Sequence, residues 1–312
     1  MPQLPGTDLH VSDLCLGGNV FGWTADESTS RAVLDRFHDA TGTNPSFVDT
    51  AESYEDGTSE RILGAWMADR GVRDQVVVAT KASRGSKAGP KEHPLSANEI
   101  RAACERSLRN LRTDRIDLYY AHHDDGTTPL EETMTAFDEL VRAGKVRHVA
   151  ASNYAPARLA EALETSERLG LTRFVALQLH YNLLERGAFE GELRDVVSAH
   201  GLGTLPYYGL AKGFLTGKYR AGARVDSPRA ARASVYSGDA GDRVLDAVER
   251  VAQAAGVPMA AVALRWLADQ PTVVAPIASA RNVEQLADLL PMEDLRLTDE
   301  QHRLLDDASG GR

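Results

Sequence analysis

The stretch LCLGGNVFG, residues 14–22, decides the fold. A short apolar run closed by glycines reads as a strand and the turn that follows it. In an open, doubly wound sheet the first such turn carries G-x-G-x-x-G, the spacing that brings backbone N–H groups against a pyrophosphate. Gly17, Gly18 and Gly22 do not fit that spacing. The other architecture for alternating strands and helices is a closed (β/α)8 barrel.

Working outward, seven more β-rich runs follow: SFVDTA (46–51), VVVATKA (76–82), IDLYYAHH (116–123), VRHVAAS (146–152), FVALQLHYN (174–182), GTLPYYGL (203–210) and VVAPIAS (273–279). Helical patterns separate them. SANEIRAACERSLRNLRTD opens at Ser96 with Glu99 three residues on, the spacing of a capping box. PLEETMTAFDELVRAG begins with proline and acids and ends at Gly144, and PARLAEALETSERLG stops at Gly170. Such alternation implies parallel strands joined by right-handed crossovers. The expectation is one α/β domain over 1–312, a (β/α)8 TIM barrel. An N-terminal β-hairpin-like segment, LPGTDLHVS, precedes it, and a long loop at 211–240 follows the seventh strand.

Composition narrows the partners. The formal net charge is -10 and no dense Lys/Arg block occurs, so neither nucleic acid nor an anionic membrane is an expected partner. Cys15 and Cys104 are too few and too far apart for a metal finger or a disulfide framework, and no metal is expected. With no leader-like N-terminus and no long apolar run, the expected setting is cytoplasmic. Nothing in the sequence sets the oligomeric state.

In a barrel of this kind the site lies at the C-terminal ends of the strands. The polar residues there are Asp49 with Tyr54 beyond it, Lys81, His122 and His123, Ser152 and Asn153, Gln178, and Tyr207. Singly, each has an ordinary reading: an acid in a turn, a solvated lysine, a core histidine, a surface tyrosine. Together they bring titratable groups from separate elements to one rim. Their chemistry is coherent. A free tyrosine titrates near about 10, and a nearby ammonium lowers that value. Asp49, Lys81 and Tyr54 then form a relay with Tyr54 as a tuned general acid, and His122 orients a carbonyl oxygen.

With these motifs in view, VDTAESY (48–54), ATKAS (79–83), DLYYAHHDD (117–125), ASNY (151–154), LQLHYNLLER (177–186), PYYGLAKGFLTGKY (206–219) and PIASARNVEQL (276–286), the chain resembles the aldo-keto reductases from end to end. The resemblance implies a barrel that binds NADPH without a Rossmann domain and reduces aldehydes or ketones to alcohols, reversibly. It implies a catalytic tetrad of Asp49, Tyr54, Lys81 and His122. Ser152, Asn153 and Gln178 would hold the nicotinamide amide, and Tyr207 would stack on its ring. Leu210, Lys212 and Gly213 would follow the pyrophosphate. Ser279, Arg281 and Gln285 would surround the 2′-phosphate, which favours NADPH/NADP+ over NADH. Three positions, in two places, depart from the family pattern. Tyr208-Gly209-Leu210 replaces Ser-Pro-Leu after the stacking tyrosine, and Leu289 replaces an asparagine expected near the adenine.

Phe21, Trp23 and Tyr181 follow strand ends or nearby loops and are expected to line the substrate mouth, shaped further by the loops 84–96 and 211–240. The partner is a small-molecule carbonyl or alcohol. Two other functions remain open on the sequence: a Schiff-base aldolase using Lys81, and a regulatory protein that binds NADP and senses its redox state.

Overall fold

The computed structural model describes residues 1–82, 93–220 and 230–310. Its strands are β1 (Cys15–Gly17), β2 (Ser46–Asp49), β3 (Val76–Ala82), β4 (Ile116–Ala121), β5 (Val146–Ser152), β6 (Phe174–His180), β7 (Gly203–Tyr207) and β8 (Ile277–Ala278). They are parallel in the order β7-β6-β5-β4-β3-β2-β1-β8. The two ends meet just before β8. The Thr204 N–H donates to the Thr272 carbonyl at 2.8 Å, and the Thr204 carbonyl accepts from the Val274 N–H at 2.9 Å. Each of the eight strands lies inside one of the eight runs read from the sequence, and the fold is a (β/α)8 barrel.

The period of two in a strand sorts its side chains between two cores. Cys15, Phe47, Val77, Ala79, Leu118, Tyr120, Ala150, Ala176, Leu205 and Ile277 pack into a compact inner cluster. The residues between them, such as Leu16, Val48, Val78, Tyr119 and Val149, join the larger layer under the helices. One step of two beyond the inner apolar layer come Asp49, Lys81, His122, Ser152, Gln178 and Tyr207. Inward parity therefore carries apolar side chains through the barrel and polar ones to its C-terminal rim.

The opposite end is stoppered. Gln3 and His10 form an antiparallel bridge, and the Leu4 N–H donates to the Leu9 carbonyl at 2.9 Å. Leu4, Leu9 and Val11 belong to the inner cluster. Gly203 opens β7 beneath this hairpin. A Cβ there would meet Val274 Cγ2 at 2.7 Å and Pro5 Cδ at 3.0 Å, so only glycine lets the hairpin press home.

Helix Ala97–Leu111 begins where the pattern places it, but its capping box does not form. The Ala97 N–H goes to Glu132 Oε1 at 2.8 Å, and Glu99 pairs with Arg106. The Ser96 N–H goes to the His93 carbonyl at 3.2 Å, and the Glu99 carboxylate is held two turns on by Arg106, a charge-assisted bond stronger than the one the box would make. A capping box does form at Thr298 and Gln301, opening helix Asp299–Ser309. Gly144 and Gly170 end their helices with φ of 71° and 64°. Of the two loops expected to shape the pocket, residues 84–92 and 221–229 lie outside the described residues. No single helix among those described is long and apolar enough to cross a membrane.

Candidate active site

Lys81 is the centre of the rim. It is 1% exposed, in a strand otherwise made of small and apolar residues. Three acceptors surround its ammonium: Asp49 Oδ1 at 2.5 Å, the Thr50 carbonyl at 2.8 Å and Tyr54 Oη at 3.2 Å. An ion so enclosed is costly unless its protons are all met, and these three acceptors account for the three donors of an ammonium. Burial pulls the Lys81 ammonium down, but Asp49 and Tyr54 outweigh it and hold its pKa above the usual lysine value. Burial pushes the Asp49 carboxyl up, opposed by Lys81.

Tyr54 departs from expectation in one respect. Burial pushes its phenol above the ordinary value, and Lys81 only partly draws it back. The physical reason is the salt bridge: with Asp49 at 2.5 Å, Lys81 acts on Tyr54 as half of a dipole, not as a lone cation. The phenol therefore keeps its proton through neutral pH.

The stretch before and after Tyr54 fixes the hydroxyl. Glu55, Asp56 and Gly57 are left-handed, with φ of 49°, 49° and 79°, and turn the chain into helix Thr58–Arg70. That helix is moored by two buried side chains. Ser59 Oγ donates to the Gly18 carbonyl at 2.7 Å. Glu60 accepts from Thr80 at 2.7 Å and Asn110 at 2.9 Å, and its burial pushes its carboxyl up. Thr80 is the neighbour of Lys81, so the Tyr54 loop and the Lys81 strand are joined from behind. His122 stands edge-on to Tyr54, ring centres 6.3 Å apart at 82°, and stacks on His123 at 5.3 Å.

From across the barrel, Gln178 Nε2 donates to Asp49 Oδ2 at 2.8 Å. β6 and β2 are four strands apart in the order, so this bond spans the rim. Asn153 is left-handed (φ 57°) and its amide donates to the His122 carbonyl and Ser152 Oγ, while Tyr207 Oη donates to Asn153 Oδ1 at 2.7 Å. Such backbone strain collects where side chains are held for a purpose. Ser152 itself is fully enclosed and meets the cavity only through Asn153.

A cavity of 690 Å³ opens above these groups and runs toward β8. Asp49, Tyr54, His122, Asn153, Gln178, Tyr207, Leu210, Lys212, Gly213, Ser279, Arg281 and Gln285 all line it. Two amides, a tyrosine ring and then cations after β7 and β8 form a donor set that suits a carboxamide, a flat ring and phosphates in that sequence. The residues present thus fit a nicotinamide dinucleotide. The departures from the family pattern have these surroundings. A Cβ at Gly209 would meet Leu264 Cδ2 at 2.9 Å, so helix Met259–Ala268 already fills that place. The Tyr208 ring lies 5.7 Å from Lys212 Nζ, and Leu289 gives the cavity an apolar wall.

The expected substrate mouth is corrected at two of its three residues. Phe21 is 0% and Tyr181 1% exposed, so neither offers surface to a ligand. Tyr181 faces the helices, against Phe189 and Trp266, with its hydroxyl donating to Glu190 at 2.6 Å. Trp23 is 42% exposed and is not part of the cavity wall. The sequence reading did not assign Asn19, His123, Lys218, Tyr219 or Asp288, which do line it. Asn19 accepts from Ser279 Oγ at 2.6 Å, a contact no local pattern announces. Lys218 and Tyr219 close the stretch PYYGLAKGFLTGKY (206–219), which is the sequence signal for them.

A family model described as "Aldo/keto reductase family" matches residues 13–309. The oxidoreductase YrpG of Bacillus subtilis (strain 168) is 36% identical over 318 residues, covering 98% of this chain and 94% of that protein. A probable voltage-gated potassium channel subunit beta of Oryza sativa subsp. japonica is 34% identical, covering 94% and 90%. The aryl-alcohol dehydrogenase [NADP(+)] of Phanerodontia chrysosporium is 32% identical, covering 97% and 84%. With the barrel and the rim already described, these matches make the chain a member of the aldo/keto reductase family and an oxidoreductase.

Proposed function

We propose that the protein interconverts an aldehyde or ketone with its alcohol using NADP(H), with Tyr54 as the general acid. The observation that carries this reading is the Lys81 ammonium, held between Asp49, the Thr50 carbonyl and Tyr54 Oη, just behind the cavity wall that Asp49 and Tyr54 form. When bound, the reduced nicotinamide supplies hydride. Asn153 and Gln178 would hold its amide and Tyr207 would lie against its ring. Lys212, Arg281, Ser279 and Gln285 would take the phosphates, and the cations favour NADPH over NADH. The aryl-alcohol dehydrogenase relative carries NADP(+) in its name.

The chain's own residues then move one proton. A carbonyl oxygen between Tyr54 Oη and His122 gains negative charge as reduction proceeds. Tyr54 gives its proton to that oxygen, and the tyrosinate left behind is stabilised by the Lys81 ammonium. Asp49 and Thr50 keep the ammonium aimed at Tyr54. The same contacts speak against a Schiff base on Lys81, whose nitrogen is charged and enclosed.

Tyr54→Phe tests the reading with NADPH and a panel of aldehydes and ketones. Turnover is expected to fall by roughly 10²–10⁴-fold, while cofactor affinity stays within about twofold. Unchanged turnover would sink the role given to Tyr54. Tight NADPH binding with no turnover of any carbonyl by the unmutated protein would favour the redox-sensing reading.

A further inference from the structure

We propose that His180 is a positioning residue for the cofactor: its imidazole is the back plate of Tyr207, and its protonation sets the preference of the site between oxidised and reduced nicotinamide. The inference rests on the cofactor reading above.

His180 and Tyr207 are register partners at the tops of β6 and β7. Their rings are stacked, 5.6 Å between centres and 13° between planes. Tyr207 lines the cavity and His180 does not, so the imidazole covers the side of Tyr207 turned away from it. Two more contacts fix the phenol ring. Its hydroxyl is tied to Asn153 Oδ1, and the Tyr208 ring meets it edge-on at 5.1 Å and 76°. Tyr208 also meets His180 edge-on, at 5.2 Å and 77°. A nicotinamide on the cavity side would complete a stack of three rings.

The charge of that stack depends on both ends. An aromatic face attracts a cation, but a cation on one face weakens the attraction for a second on the other. Oxidised nicotinamide carries a positive charge that the reduced ring lacks. Neutral His180 therefore accepts either form, whereas protonated His180 disfavours the oxidised one. The groups around His180 set when this happens. Burial opposes its proton, the Lys212 ammonium opposes it too, and the Glu185 carboxylate favours it, leaving its pKa below the usual histidine value. Among the described residues, its hydrogen-bond and ring contacts are uncharged: the Asn182 amide, 3.4 Å from Nε2, and the phenols of Tyr207 and Tyr208. The discrimination thus appears as pH falls below about 6.5.

The test is the ratio Kd(NADP+)/Kd(NADPH), measured by calorimetry from pH 8 down to 5.5. Both forms carry the same 2′-phosphate, whose own titration near about 6 cancels in the ratio. For the unmutated protein the ratio should rise about three- to tenfold across this range, the size of a repulsion between charges on either side of one ring. His180→Phe keeps the plate and removes the proton, so its ratio should be flat with affinities at pH 8 little changed. His180→Ala removes the plate and should weaken both forms at every pH. A flat ratio in the unmutated protein, or the same slope in His180→Phe, overturns the inference and leaves the cofactor reading intact. Binding of neither form overturns both.

Discussion

Two carboxylates are buried at opposite ends of the barrel, on different strands. Asp117, second residue of β4, is 1% exposed, and Asp49, last residue of β2, is 3% exposed. Asp117 accepts from Arg73 Nη2 at 2.9 Å, Arg147 Nη1 at 3.1 Å and the Val78 N–H at 2.9 Å. It points outward by strand parity, toward the layer under the helices. Asp49 points inward, holds one ammonium and one amide, and borders a cavity. Burial of a charge is common to both, so burial does not make a site. What differs is what the charge does next: Asp117 ties strands together, while Asp49 fixes a lysine that faces a titratable hydroxyl. Left-handed backbone does not follow this division: Asn153, Tyr208 and Lys212 line the cavity with φ of 57°, 55° and 59°, but Arg112 and Thr272, with φ of 51° and 70°, lie at the other end, before β4 and beside the start of β7.

The sharpest way to break this comparison is to neutralise one charge at each end. Lys81→Met should lower the rate of carbonyl reduction by roughly 10²–10⁴-fold. Asp117→Asn should leave the rate within about twofold but reduce stability by roughly 2–3 kcal/mol. That is below the cost of breaking a fully buried pair, because Arg147 is 35% exposed and can rehydrate. Rates and urea denaturation of both variants are the measurements. If Asp117→Asn lost turnover as deeply as Lys81→Met, the two ends would not differ in kind.

A milder probe uses pH. Burial raises the Tyr54 pKa, so its proton is present throughout neutral pH and is lost only in alkali. The rate of reduction should stay level up to about pH 10 and then fall about tenfold per unit. A decline centred near pH 8 would mean that the Lys81 charge outweighs burial, and the dipole argument for the rim would be wrong.

The fold was legible because each strand is a short apolar run with a polar residue two steps beyond its inner layer. That rule picks out Asp49, Lys81, His122, Gln178 and Tyr207, and the structure gathers them around one rim. Where local reading failed, a long-range partner was the cause. Closeness to a strand end alone puts Tyr181 in the mouth. Yet it is one residue past inward-facing His180, and parity sends it to Phe189 and Trp266. Ser96 and Glu99 have the spacing of a capping box, but the His93 carbonyl takes the Ser96 N–H and Arg106 takes the Glu99 carboxylate. The basicity of Tyr54 depends on how much protein covers it, which no spacing conveys. The stack of His180 on Tyr207 needs the register of β6 on β7, which follows only once the barrel is closed.

The smallest effect is expected at the stoppered end, where Asp8 of the hairpin reaches β5. It accepts from Arg147 Nη2 at 2.7 Å and pairs with His148 Nε2 at 2.9 Å, while 71% of its side chain is exposed. The His148 hydrogen bond, then Arg147, lowers its carboxyl to about 2. Folding thus favours the ionised form. Its contribution is fully present above the unfolded value of about 3.9 and is lost as pH falls through about 2. Solvent screening reduces an exposed pair of this kind to roughly 0.2–1 kcal/mol. Asp8→Asn should cost that much at pH 7 and progressively less below about pH 4, with turnover unchanged. Urea midpoints for the two proteins from pH 2.5 to 7 measure the difference. A cost that did not shrink with acid would mean that Asp8 holds the hairpin by geometry rather than charge, and the stopper would then resemble the rim more than the comparison allows.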